Sequence, residues 1–154
     1  MEVHEIITPG HIIPRLQAED KVGALRALAQ HVVKRHPGLD VQHVLALLLE
    51  RERLGSTGLG EGLAIPHCKS DELECMTGLF ARSITGVDFD AADGKPVHIF
   101  FVLLVPGDGS GEYLKVLAKV SALCRNPGFR AAINEAPADA DEVFLHRLLA
   151  RGHG

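Results

Sequence analysis

The chain has few cysteines and no long apolar run, and both shortages restrict the classes of protein to which it can belong. Its three cysteines, Cys68, Cys75 and Cys124, cannot all pair within one chain, and their spacing fits no zinc pattern. A reduced, cytoplasmic protein is the simplest interpretation. The longest apolar run, residues 99–105, is far too short to span a membrane, so we expect no direct membrane insertion. No signal peptide is evident at the N-terminus.

An excess of positive charge is also missing. The 16 lysines and arginines are outnumbered by 20 aspartates and glutamates, which gives a formal net charge of −4. Nucleic-acid-binding proteins usually carry a basic patch, so nucleic acid is not an expected partner. The nine histidines are scattered, and no pair has the i, i+4 spacing and acidic partner of a metal site on a helix. The sequence therefore predicts neither a metal site nor a cofactor.

What the sequence does contain is a glycine-rich segment between Arg51 and His67. Four glycines fall within eight residues, Ser56 and Thr57 lie between the first two, and Pro66 precedes the histidine. Glycines let backbone N–H groups approach an anion closely, hydroxyls add donors, and arginine binds phosphate oxygens with two parallel hydrogen bonds. A neutral histidine beside a rigid proline offers a nucleophilic ring nitrogen at neutral pH. The segment therefore predicts a site that places a phosphoryl group on His67.

Other interpretations of the same segment are a plain glycine-rich turn, a P-loop and a hydrolase site. A P-loop requires G-x-x-x-x-G-K-[ST]. Gly55 and Gly60 have this spacing, but Glu61 occupies the lysine position, and its negative charge argues against binding of a nucleoside triphosphate. A hydrolase with Ser56 as nucleophile and His67 as base would need a G-x-S-x-G turn and an orienting acid, and the sequence identifies neither.

The run from Gly55 to His67, Gly-Ser-Thr-Gly-Leu-Gly-Glu-Gly-Leu-Ala-Ile-Pro-His, resembles the active-site signature of the fructose/mannitol-type EIIA domains of the bacterial phosphotransferase system. Within that family, it most resembles the nitrogen-regulatory EIIA proteins. The similarity extends to Arg51, to the apolar segment 94–106 and to the helix that begins near Tyr113. From these segments we expect the resemblance to extend over nearly the whole chain. The resemblance implies a single EIIA type-2 domain over residues 1–154, with an α/β fold: a three-layer α/β/α sandwich with a mixed β-sheet.

The resemblance also implies a phosphotransferase with a phosphohistidine intermediate. In the family, the histidine at the position of His67 accepts a phosphoryl group from the phosphohistidine of a carrier protein, HPr or its nitrogen-branch relative. It passes the group to a downstream EIIB domain, or it signals to a regulatory target, such as a kinase or transporter, through its phosphorylation state. By the same resemblance, Arg51, Ser56, Thr57 and Gly58 are expected to hold the phosphate.

One position departs from the family pattern. Many members begin the later helix with a second histidine beside the active one, and this chain has Tyr113 there. We expect Tyr113 to replace the second histidine in phosphate binding, because a tyrosine can donate a hydrogen bond to phosphate, but it carries no positive charge at neutral pH. We therefore expect slower phosphoryl transfer, or loss of transfer onward. His98 is a candidate accessory residue from the start of a strand, and its alternative is an ordinary polar residue at a strand end.

Two alternatives to a regulatory phosphorelay stay open. A non-relaying regulatory binding module would keep the fold and act by contact with a kinase, transporter or regulator, and Tyr113 favours this interpretation. A sugar-specific EIIA component of fructose or mannitol uptake would use the same site.

The periodicity of apolar residues predicts helices and strands in a mixed order. Helices are expected at about 20–36, 41–54, 112–124 and 127–134, and from a cap at Asp139 or Asp141 to about 151. Strands are expected at 11–17, 63–65, 76–84 and 97–105. The first is an edge strand because of Pro14, and the last is apolar almost throughout, as in a strand covered on both faces. Such a mixture requires a sheet packed between helices.

Overall fold

In the computed structural model, which describes residues 2–107 and 111–151, the strands form one mixed β-sheet. The strands are β1 (Ile12–Ile13), β2 (Gly58–Gly60), β3 (Leu63–Ala64), β4 (His67–Ser70), β5 (Thr77–Val87) and β6 (Val97–Pro106). The helices are α1 (Val3–Ile6), α2 (Lys21–Arg35), α3 (Val41–Arg53), α4 (Glu112–Arg125), α5 (Pro127–Glu135) and α6 (Glu142–Arg151), with a short 3-10 helix at Pro9–His11. The expected single domain over residues 1–154 includes residues outside the described ranges and stays a prediction.

Strand β6 lies at the centre of the sheet and fixes the position of His67. On one side it pairs antiparallel with β5. On the other side it pairs parallel with two short strands in succession, β3 and then β4, and His67 lies opposite Leu103. Strand β1 is an edge strand parallel to β5, and β2 is antiparallel to β3. The sheet therefore contains both kinds of pairing, as expected.

Helices cover both faces of the sheet because neighbouring residues of β6 point to opposite sides. Phe100 and Val102 belong to the core beneath α2 and α3. Phe101 and Leu103 belong to the second core, which α1, α4, α5 and α6 close from the other side. The near-continuous apolar sequence of β6 follows from this double burial. The three-layer α/β/α sandwich with a mixed sheet is confirmed.

The predicted helix starts are set by polar side chains that satisfy free backbone N–H groups. Asp20 accepts from the Gly23 amide at 2.9 Å at the start of α2. Asp141 accepts from the Phe144 amide at 2.9 Å at the start of α6. Asp40 does precede α3, but its side chain makes no capping hydrogen bond. The position of all five long helices is confirmed to within a few residues.

The strands differ more from expectation than the helices do. The predicted strand at 11–17 is only Ile12–Ile13, although it does lie at the sheet edge. Strand β5 runs on to Val87 through a break in its register with β6, and Gly86 adopts a φ of 90° there. The sequence did not predict β2 or β4. Both are short, and β2 contains two glycines, which weaken strand propensity.

Candidate functional site

The end of α3 and the start of β4 bring Arg51 and His67 into contact. Arg51 lies in the last turn of α3, and its Nε donates a hydrogen bond to His67 Nε2 at 3.2 Å. The same guanidinium donates through Nη1 to the Gly55 carbonyl at 3.0 Å. This second contact ties the arginine to the first glycine of the loop. The structure thus brings together the two residues on which the expected phosphoryl chemistry most depends.

The hydrogen bonds of His67 fix which ring nitrogen is nucleophilic. Its Nδ1 lies 2.8 Å from the Ile65 carbonyl. A carbonyl oxygen can only accept, so Nδ1 carries the proton and donates. Nε2 then holds the lone pair, which also agrees with its role as acceptor from Arg51. The ring is half-buried and held on both sides, and Nε2 is the atom able to attack phosphorus.

A buried carboxylate anchors the loop between Arg51 and His67. Glu52 accepts from the Thr57 amide at 3.0 Å and from the Thr57 hydroxyl at 2.5 Å. It also pairs with Lys21 Nζ at 3.0 Å, and its side chain is only 4% exposed. The hydroxyl proton of Thr57 is therefore used inside the fold. Phosphate binding by Thr57 stays a prediction, but in this conformation the hydroxyl has no proton left to donate to phosphate.

Ser56 and Gly58 also make contacts within the loop. The Ser56 hydroxyl donates to the Phe89 carbonyl at 3.2 Å and accepts from the Gly58 amide at 3.0 Å. A Cβ at Gly58 would lie 2.8 Å from the Ala91 backbone, so the chain approaches too closely for a side chain. These contacts give both residues a structural task, and their expected role in phosphate binding stays a prediction. Ser56 donates to Phe89 rather than to His67, which argues against the hydrolase alternative.

Tyr113 lies at the start of α4 and contacts a residue of β4. The ammonium of Lys69 stands 5.6 Å from the centroid of the Tyr113 ring. Lys69 follows His67 by two positions in the strand, and Cys68 between them points into the core under α2 and α3. His67 and Lys69 therefore share the opposite face of β4. Tyr113 is thus near the histidine's side of the strand, as the family position implies.

The structure does not bring His98 to His67, which argues against its candidate role as an accessory residue. His67 is opposite Leu103 in the sheet, whereas His98 is near the beginning of the same strand, β6. The five intervening steps along the strand correspond to roughly 16 Å. The Nδ1 of His98 lies 2.9 Å from the Ser83 carbonyl instead. The alternative, a polar residue at a strand end, agrees with this placement.

The amino-acid sequence matches those of known proteins along most of its length. Residues 5–147 match the family described as "Phosphoenolpyruvate-dependent sugar phosphotransferase system, EIIA 2". The chain belongs to this EIIA family. A nitrogen regulatory protein of Bradyrhizobium diazoefficiens is 36% identical to this EIIA protein over 144 residues, which is 94% of this chain and 93% of the relative. A fructose-specific EIIA component of Haloferax volcanii is 37% identical over 139 residues, 88% of this chain and 90% of the relative.

The backbone of this EIIA protein is also similar to that of a solved structure. The crystal structure of the nitrogen regulatory protein IIA-Ntr from Neisseria meningitidis has a TM-score of 0.86 and 33% identity, and the alignment covers 96% of this chain and 98% of that one. These relatives support a phosphorylation-based regulatory role for the chain within the phosphotransferase system. EIIA proteins are phosphotransferase components. A solved structure with the same fold, 21% identical and with a TM-score of 0.75, is that of the mannitol enzyme IIA of Escherichia coli in complex with the phosphorylated mannitol enzyme IIB.

Residues 2–107 and 111–151 contain neither a group of side chains suited to binding a metal ion nor a helix suited to spanning a membrane. No three histidine, cysteine, aspartate or glutamate side chains in these ranges are grouped so that they could hold a metal ion. No helix in them combines the length and apolar character needed to cross a membrane.

Sequence reasoning missed two residues beside the EIIA site, Glu52 and Lys69. Glu52 stands between two arginines at a helix end, where a solvent-exposed glutamate would be unremarkable. Lys69 follows His67 by two residues, a spacing that places both on one face only if the segment is a strand. An alternation signal was present, because Cys68 and Ser70 are buried while Lys69 is exposed. Four residues are too few for that alternation to stand out in a sequence.

Proposed function

We propose that Nε2 of His67 accepts a phosphoryl group from the phosphohistidine of a carrier protein, HPr or its nitrogen-branch relative. The lone pair of Nε2 forms the new bond to phosphorus. The electron pair of the breaking nitrogen–phosphorus bond returns to the imidazole of the carrier. The phosphorylated chain then passes the group to an EIIB domain, or it signals by its phosphorylation state to a regulatory target such as a kinase or transporter, within nitrogen and carbon regulation in the cytoplasm.

The observation that carries this proposal is the pair of hydrogen bonds on the His67 ring. The Ile65 carbonyl holds the proton on Nδ1, and Arg51 is hydrogen-bonded to Nε2. Because the lone pair of Nε2 accepts from Arg51, the guanidinium must move from Nε2 to the phosphate oxygens as the lone pair attacks phosphorus, and there it neutralises their charge. Phosphoryl transfer needs little from a protein beyond such positioning and charge stabilisation. Arg51 keeps further N–H groups for phosphate oxygens.

Exposed apolar side chains beside the site support approach by another protein. Leu54 follows α3 three residues after Arg51 and is 81% exposed, and Leu114 follows Tyr113 and is 56% exposed. If these two side chains form one apolar patch around His67 in the complex, they would favour contact with another protein. The partner expected at this surface is a protein that carries a phosphohistidine.

The test is transfer of one phosphoryl group to the full chain from phosphoenolpyruvate, enzyme I and a phosphocarrier. We expect an acid-labile gain of one phosphate in intact mass, because a nitrogen–phosphorus bond hydrolyses in acid. His67→Gln should abolish the gain. His98→Gln is the matched control, since it removes a half-buried histidine from the other end of β6 and should leave the gain unchanged.

Two results would contradict the proposal. An unmodified wild-type chain in the presence of carriers of both the sugar and the nitrogen branch would exclude the relay. Phosphate retained by His67→Gln would exclude His67 as the acceptor.

The second candidate function is a regulatory binding module that does not relay, and Tyr113 is the observation that favours it. A phosphate on His67 would add about −1.5 to −2 charges at an interface and could form or break a contact. Measuring the affinity of a regulatory target for the phosphorylated and unmodified chains separates the possibilities. Phosphorylation followed by no loss of phosphate to an EIIB domain, with a change in target affinity, would favour signalling. Transfer to a fructose or mannitol EIIB domain would favour the sugar-specific alternative.

A further inference from the structure

The contact between Lys69 and Tyr113 joins two elements that meet beside His67. Strand β4 carries the lysine and helix α4 carries the tyrosine, and the ammonium lies 5.6 Å from the ring centroid. A cation at this distance from a ring is attracted to the negative face of the aromatic system. Since Lys69 is exposed, the ring restrains a side chain that would otherwise move freely in water.

The strand places this lysine on the same face as the reacting histidine. His67 and Lys69 are two positions apart in β4, so their Cα atoms are separated by about 6.6 Å and their side chains leave the same face. The buried Cys68 and Ser70 occupy the other face. The four-carbon side chain of lysine is long and flexible enough to carry its ammonium to a group bound at His67 Nε2.

The charge of Lys69 is also available for a ligand. Within residues 2–107 and 111–151, no carboxylate forms an ion pair with this ammonium, whereas Lys21 and Lys119 each pair with a glutamate. A phosphoryl group in transfer carries negative charge spread over its oxygens. Arg51 contacts Nε2 from the end of α3, and Lys69 lies two residues after His67 on β4.

We propose that Lys69 is the second cationic partner of the phosphoryl group and that Tyr113 is its positioning residue, acting through the face of its ring rather than through its hydroxyl. This inference rests on the proposed acceptance of phosphate by His67. The positive charge on this side of the site then comes from Lys69 on β4, and the hydroxyl of Tyr113 has no necessary role. The interaction therefore requires an aromatic ring at position 113 together with a cation at position 69.

The experiment compares single-turnover phosphoryl transfer from a phosphorylated carrier to variants of the full chain. Lys69→Met should lower the saturating rate by at least about tenfold, because one charge is lost from the transition state, while the half-saturating carrier concentration changes little. Lys69→Arg should restore the rate to within about threefold. Lys34→Met is the matched control, since this exposed lysine lies on α2, across the sheet, and its loss should not change the rate.

The Tyr113 variants distinguish the contribution of the ring to the transfer rate from that of the hydroxyl. Tyr113→Phe should transfer at the wild-type rate, and Tyr113→Leu should be slower by about threefold or more, as expected for loss of a cation–π contact. In the Lys69→Met background, Tyr113→Leu should have no further effect, because the residue it positions is already absent. A role in folding alone would slow transfer without this dependence on Lys69.

The possible failures are distinguishable. A wild-type rate for Lys69→Met would overturn this inference and leave the proposed function intact. A Tyr113→Phe variant as slow as Tyr113→Leu would show that the hydroxyl acts, which overturns the role given to the ring. Absence of phosphate on the wild-type chain would overturn the proposed function and this inference with it.

Discussion

Replacing the buried Glu52 with alanine should destabilise the whole chain, although the residue lies at the end of a helix. The carboxylate accepts from Lys21 Nζ at 3.0 Å, from the Thr57 amide at 3.0 Å and from the Thr57 hydroxyl at 2.5 Å. Its side chain is 4% exposed and that of Lys21 is 18% exposed. Glu52→Ala would leave one ammonium, one buried amide and one buried hydroxyl without their acceptor.

The size of the effect follows from these partners. Removing one member of a buried ion pair costs about 3–5 kcal/mol, and an unsatisfied buried amide costs about 1–3 kcal/mol. Lys21 reduces the sum, because it retains partial access to water and lies 5.0 Å from the centroid of the Phe89 ring. We expect a net loss of about 3–4 kcal/mol, which corresponds to a fall in Tm of about 6–16 °C for a chain of this length.

Urea denaturation of the full chain measures the loss directly, and Glu50→Ala is the matched control. Glu50 lies on the same helix and pairs with Arg53 at 3.0 Å, but the two side chains are 65% and 76% exposed, so its removal should cost less than about 1 kcal/mol. A loss for Glu52→Ala within about 0.5 kcal/mol of the control would refute the reasoning. Replacing both charges, in Lys21→Met with Glu52→Leu, should recover part of the loss.

Two further predictions concern titratable groups. Burial, followed by the charge of His36, lowers the pKa of His11 in the folded chain. As the pH falls below about 6.5, the unfolded chain therefore takes up a proton at His11 more readily than the folded chain does, and stability falls. The Tm of the wild type should fall further between about pH 7 and pH 5 than the Tm of His11→Gln, and equal falls would contradict this. Burial raises the pKa of Cys68 and of Cys124 to about 12, whereas Cys75 is exposed. A thiol reagent should thus modify Cys75 first in the folded chain, and mass spectrometry showing Cys68 modified first would disprove the burial argument.

The long elements could be predicted from sequence because each carries its own burial pattern. The apolar run of β6 and the apolar faces of α2 and α3 reflect cores on both sides of the sheet. Strand β4 could not be predicted in the same way, since it is a strand only through its pairing with β6. The distance from His98 to His67 depends on that same pairing, so the sequence alone could not show that the two histidines lie far apart.

In the candidate site, too, some residues could be predicted from the sequence and others depend on tertiary contacts. Arg51 and His67 could be recognised because they belong to a specific signature, and the structure brings them into contact at 3.2 Å. The part played by Glu52 depends on Lys21, which is close to it only after α2 and α3 have packed side by side. Hydroxyls in a glycine-rich loop suggest phosphate binding, but whether they point outward or into the fold is decided by such tertiary partners.

A histidine that exchanges phosphate with other proteins must be fixed in orientation and still be reachable from solvent. In this chain the two requirements are met by different groups. The Ile65 carbonyl and the network around Glu52 hold the ring and its loop from within. The exposed Lys69 faces the incoming group and contributes nothing to the core. Changes to the internal anchors should therefore alter stability and transfer rate together, whereas a change at Lys69 should alter the rate alone.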